Sequence, residues 1–147
     1  MKKFNFSLEK LYGYKEQVLS KEKNDLAQYR SEKQQLLEEK ERLERLLAES
    51  GEEFAEKAAV GMSIVEINVI KDYQKSLTED IRLKEREIEA AEERISGQLR
   101  VVIQASKDVN SLEKLRDKQL DEYKFKVAKS DEQFIEEFVT TSSYRSG

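Results

Sequence analysis

Leu8, Tyr12, Lys15, Leu19, Glu22, Leu26, Tyr29, Lys33, Leu36, Lys40, Leu43, Leu47, Ser50 and Phe54 follow one another at alternating steps of four and three. This spacing keeps one edge of an α-helix against a partner helix over many turns, and nine of the fourteen residues are apolar, enough for a coiled-coil seam. The lysines can lay their methylenes along the seam and lift the ammonium into water. The chain has no proline and five glycines, so almost nothing over its length forbids helix. Disorder is the competing reading of so polar a chain, but a disordered segment does not need its leucines and isoleucines to recur with a period.

The same alternation returns in a second arm with Ile70, Leu77, Ile81, Ile88, Ala91, Ile95, Val102, Ala105, Val109 and Leu112. Between the arms, Gly61 can take the left-handed conformation that ends a helix, and Ser63 with Glu66 has the spacing of a capping box. Met62 and Ile67 are placed to form a hydrophobic staple. Pairing residues whose numbers sum to 124 sets Leu47 against Leu77, Leu43 against Ile81, Leu36 against Ile88, Tyr29 against Ile95 and Tyr12 against Leu112. The midpoint of that sum is Met62, so the register and the turn agree. Gly51 is the rival place for the turn, and a register shifted by one heptad has the same phase.

The expected fold is all-α: a long two-helix antiparallel coiled-coil hairpin with an overhanging C-terminal helix, as one domain over residues 1–147. Its expected parts are a helix at about 5–59, a turn at about 60–63, a helix at about 64–139 and a frayed tail at 140–147. At about 1.5 Å per residue the second arm projects roughly 30 Å past the first. The overhang starts near Arg116, where Leu112, Arg116 and Leu120 make two successive steps of four, a stutter that unwinds a supercoil. Beyond it Leu120, Tyr123, Val127, Phe134 and Phe138 form an apolar stripe with no helix of this chain left to cover it. At the other end Phe4, Phe6, Leu8, Leu11 and Tyr12 offer more apolar surface than one stripe can place against a single partner. Such stripes usually meet another protein.

Composition excludes several classes of function. With 37% apolar and 39% charged residues there is little to fill a globular core. The chain has neither cysteine nor histidine, which removes disulfides, thiolate chemistry and the commonest acid-base and metal-binding side chain. No glycine-rich loop followed by lysine cradles a phosphate, and no zinc or calcium spacing occurs. Carboxylate pairs such as Glu38-Glu39, Glu92-Glu93 and Glu136-Glu137 sit on solvated faces, with no apolar pocket to separate their acidities. No catalytic residue, cofactor or metal is expected. The 27 basic and 31 acidic side chains interleave, unlike the basic stripe of a nucleic-acid binder. Tyr123 and Phe125 among Lys118, Lys124 and Lys126 would suit base stacking, but Asp117, Asp121 and Glu122 lie among them. No apolar run reaches the length of a membrane span and the first residues lack a signal peptide's apolar centre, so a cytoplasmic protein is expected.

Three stretches together resemble the flagellar export protein FliJ family. They are Phe4-Asn-Phe-Ser-Leu-Glu-Lys-Leu, Tyr73-Gln-Lys-Ser-Leu and Leu112-Glu-Lys-Leu-Arg-Asp-Lys-Gln-Leu-Asp-Glu-Tyr. The resemblance implies a non-catalytic coiled coil, similar to the stalk of rotary ATPases, that inserts into the hexameric export ATPase FliI and contacts the membrane-embedded export gate FlhA from the cytoplasm. It implies an ATPase contact formed by Phe4, Phe6, Leu120, Tyr123, Val127, Phe134 and Phe138, and a gate contact formed by Leu46, Phe54, Tyr73 and Leu77. Flagellar export chaperones are further implied partners. An escort for exported subunits and a purely structural scaffold are the alternative functions.

Overall fold

The computed structural model describes residues 2–146. Two long helices, α1 (Glu9–Val60) and α2 (Ile64–Ser146), pack against each other as a two-helix hairpin, with no strand among the described residues. Contacts between paired helices are local to each turn of the seam. They fall into two units, Glu22–Val102, and Met1–Lys21 with Ile103–Gly147.

Glu22–Val102 holds the turn. Gly61 has a φ of 119°, a backbone region that L side chains rarely adopt, and its amide donates to the Lys57 carbonyl at 2.9 Å. The capping box closes in both directions: the Glu66 amide donates to Ser63 Oγ at 3.1 Å, and the Ser63 amide donates to Glu66 Oε2 at 3.3 Å. Gly51 stays inside α1. Leu43, Leu77 and Ile81 form the buried cluster of this unit, with Leu46 and Leu47 packed against it. One heptad away Gln74 Nε2 donates to the buried Ser50 Oγ at 3.3 Å. Those two numbers sum to 124, and a seven-residue slip would carry these groups about 10 Å apart, so the register left open by periodicity is fixed here.

Polar seam residues find partners on the facing helix rather than water alone. Gln98 Nε2 donates to the Glu22 carbonyl at 2.9 Å and to its carboxylate at 2.6 Å. The ammonium groups of Lys33 and Lys40 lie 3.3 and 3.5 Å from Glu92 and Glu85. Lys84 reaches Glu39 at 2.7 Å and Glu87 at 3.2 Å. Its hydrogen bond and its charge hold the Glu39 carboxyl below the usual carboxylate range.

In the other unit Lys15 lies 3.7 Å from Asp108, and Arg116 Nε donates to Glu9 Oε2 at 3.3 Å. Ala105 and Val109 are buried, and Tyr12 and Leu112 are half-buried as paired. Helix α1 begins at Glu9 rather than near residue 5, because residues 2–6 are non-helical and Ser7-Leu8 turn into the helix, with the Glu9 amide donating to the Phe6 carbonyl at 3.0 Å. Helix α2 runs through Ser146, past the expected fraying point at Thr140, whose hydroxyl donates to the Glu136 carbonyl at 2.9 Å. No proline and no glycine falls between Gln98 and Ser146 to stop it. Gly147, in the expected frayed tail, lies outside the described residues.

Three outcomes test this packing. Cysteines at Ser50 and Gln74, in a chain with no cysteine of its own, should join within one molecule, read as a monomer of altered mobility without reductant. Leu43→Ala should lower unfolding stability by about 2–3 kcal/mol in urea melts, the low end for buried leucines because this layer borders solvent. Glu39, whose folded pKa is lowered, adds stability above its unfolded pKa that is lost as pH falls through the folded value. Lys84→Gln should raise the Glu39 titration seen by carboxyl NMR towards the ordinary value and shrink that acid-side loss.

Candidate partner-binding surfaces

Near the turn, α2 presents apolar side chains away from α1. Ile64, Val65 and Val69 are exposed, and Val60 at the end of α1 is 91% exposed. Val65, Val69 and Tyr73 stand four apart, one above the next on a single helix face. These valines were not singled out by the sequence reading, although their four-residue spacing off the seam was visible. Ile67 belongs to the expected staple and Ile70 to the expected seam, and the valines lie outside both patterns.

The four expected gate residues differ in burial. Tyr73 is 47% exposed, whereas Leu77 is 5% exposed and belongs to the buried cluster. Leu46 packs against that cluster. Phe54 is half-buried, with the Lys71 ammonium 4.5 Å from its ring centre. Tyr73 and the exposed edges of Leu46 and Phe54 remain available to a partner, and Leu77 is core.

At the chain ends the seven expected ATPase residues separate into two groups. Phe6 is buried and Phe4 tilts against Tyr123 with ring centroids 5.6 Å apart. The Tyr123 hydroxyl donates to the Lys2 carbonyl. Leu120, Tyr123 and Val127 are half-buried, so the stripe expected to be bare from Arg116 stays partly covered to Val127. The difference is one of reach. Residues 2–8 run on along α2 past the start of α1: Arg116 meets Glu9, whereas Tyr123 meets the Phe4 ring and the Lys2 carbonyl. Phe6 is thus buried, while Phe4, Leu120, Tyr123 and Val127 are half-buried against their own chain.

Phe134 and Phe138 stand apart from that group. Every residue from Ala128 to Ser143 is exposed, and within this run Phe134, Ile135, Phe138 and Val139 are between 55% and 70% exposed. Phe125 is exposed on the face opposite Tyr123. Among the described residues no group of three or more acidic side chains is placed to hold a metal ion, and no helix is long and apolar enough to cross a membrane.

The family of the flagellar FliJ protein matches residues 4–147. The chain belongs to the FliJ family. It is thereby a component of the flagellar export apparatus, in a family that is non-enzymatic. Comparison with curated proteins and with solved structures gives no significant match. The family match begins at Phe4, so it includes the aromatic segment that packs on Tyr123 as well as the exposed run of α2.

The packing of the start of the chain carries its own test. Phe6→Ala should expose the half-buried stripe of α2 and raise amide hydrogen exchange at Leu120 to Val127, leaving exchange around Leu43 unchanged. Unchanged exchange at Leu120 to Val127 would contradict this role for Phe6.

Proposed function

We propose that this FliJ-family protein is a non-catalytic coupling element of flagellar export that binds the export ATPase ring through the bare end of α2 and the export gate near the turn. The observation that carries the reading is the run Ala128 to Ser143, which keeps helical form and four large apolar side chains with no cover from its own chain. An exposed stripe of this kind suits insertion among other helices or into a ring. Each apolar side chain fully buried there contributes about 1.5–3 kcal/mol, against association costs of about 4–15 kcal/mol, so several anchors must act together. Phe134, Ile135, Phe138 and Val139 are those anchors, and Phe4, Phe6, Leu120, Tyr123 and Val127 form the firm base from which they project.

For the gate, Tyr73 with Val65 and Val69 makes a better surface than the buried Leu77. Phe54 and Leu46 flank it as half-buried neighbours. The cytoplasmic, gate-proximal placement follows from the same reading, with export chaperones as further partners.

The Phe134→Ala, Phe138→Ala double variant should melt within about 2 °C of the parent, since neither side chain touches α1, while stimulation of ATP hydrolysis by the cognate ATPase falls at least about tenfold in apparent affinity, a loss of about 1.4 kcal/mol. A large drop in melting temperature with stimulation intact would overturn the reading. Tyr73→Ala should weaken binding to the purified cytoplasmic part of the gate without changing the melt, whereas Leu77→Ala should lower the melt first.

A further inference from the structure

Residues 123–138 carry a regularity that ring binding does not require. Their stripe, Tyr123, Val127, Phe134 and Phe138, has spacings of four, seven and four, which read the same in both directions about a centre between Ser130 and Asp131. The charges invert about that same centre. Lys124, Lys126 and Lys129 lie in the first half with no acid, and Asp131, Glu132, Glu136 and Glu137 lie in the second with no base. None of these seven makes an ion pair among the described residues. A stripe that is symmetric on reversal and a charge pattern that is antisymmetric together meet the condition for a helix to pair with its own copy running the opposite way.

We propose that the exposed end of α2 associates with the same segment of a second copy of this chain, antiparallel and centred between Ser130 and Asp131. The exposed edge of the half-buried Val127 then faces Phe134 of the second copy, Tyr123 keeps its contact with Phe4, and the basic half of each helix lies on the acidic half of the other. Lys126 and Glu137 fall on the same flank of the stripe, and in an antiparallel pair like flanks meet, so these two form the closest oppositely charged contact. The stripe also continues the one that α1 and Phe4 cover up to Val127, so the second copy takes over where the chain's own packing stops. Steps of four make ridges that interlock at about −50°, which carries the last turns of each copy clear of the other's N-terminal segment. A contact this short lies near the lower limit of about 1,000 Å² for specific interfaces, so the pair is weak and concentration-dependent. It shields the apolar anchors until a larger partner displaces it.

Sedimentation equilibrium of the purified full chain should show dimer forming between about 10 µM and 1 mM. Phe134→Ala with Phe138→Ala should leave monomer throughout that range, with circular dichroism confirming that the hairpin is folded. Lys126→Glu and Glu137→Lys should each weaken dimerisation several-fold, and an equimolar mixture of the two variants should restore it, because both cross-chain contacts become complementary again. Wild-type monomer at about 1 mM, a dimer indifferent to the phenylalanine substitutions, or a mixture no tighter than its parts would each overturn the proposal. The measurement contains no ATPase, so its outcome is independent of ring binding.

Discussion

Two helices can offer each other only one stripe, and each unit of this protein depends on what that stripe holds. None of the described side chains is fully enclosed, because there is no third layer to close over it. Leu26, Leu43, Leu77, Ile81, Ile88, Ala105 and Val109 are buried because they sit on the stripe's centre line. Their neighbours at either side are bordered by solvent, so each layer contributes less than the same residue would inside a globular core.

With apolar burial so thin, the polar seam residues decide how the helices align. Ser50 with Gln74 and Glu22 with Gln98 are satisfied in one register only. Leaving such groups unpaired and buried costs about 1–3 kcal/mol each, comparable with an apolar layer. The lysine pairs act differently. Exposed ion pairs contribute about 0–1 kcal/mol, so Lys33 with Glu92 and Lys40 with Glu85 add little strength, yet any slip that sets lysine against lysine is unfavourable. The seam is specified more firmly than it is held.

That division explains what the sequence made legible. Turn, register and helix pairing rest on local or periodic signals, the Ser63-Glu66 box, the Gly61 stop and the alternation of four and three, and these are intrinsic to the chain. The non-helical path of residues 2–6 brings Phe4 against Tyr123, tertiary packing that no local pattern announces. A first arm counted from Leu8 leaves these residues out, and with them the cover on α2 as far as Val127. At the candidate gate surface two signals overlap. Periodicity assigns Leu77 to the seam as readily as a family resemblance assigns it to a partner, and only its burial separates the two. Val65 and Val69 lie off the seam's phase, so the alternation of four and three does not mark them.

The bare end of α2 differs in one respect from a free peptide of the same length. Starting a helix is the unfavourable step, since several residues must be fixed before the first hydrogen bond forms, while each later residue adds one bond for one residue ordered. Here the paired portion of α2 has already supplied that nucleus, so the segment beyond Val127 only propagates. Its order declines as a moving boundary from Val127 outward rather than switching between folded and unfolded forms. A partner that grips Phe134 and Phe138 therefore shifts the boundary along an existing helix, and the ordering cost it meets grows with the distance of its contacts from the hairpin.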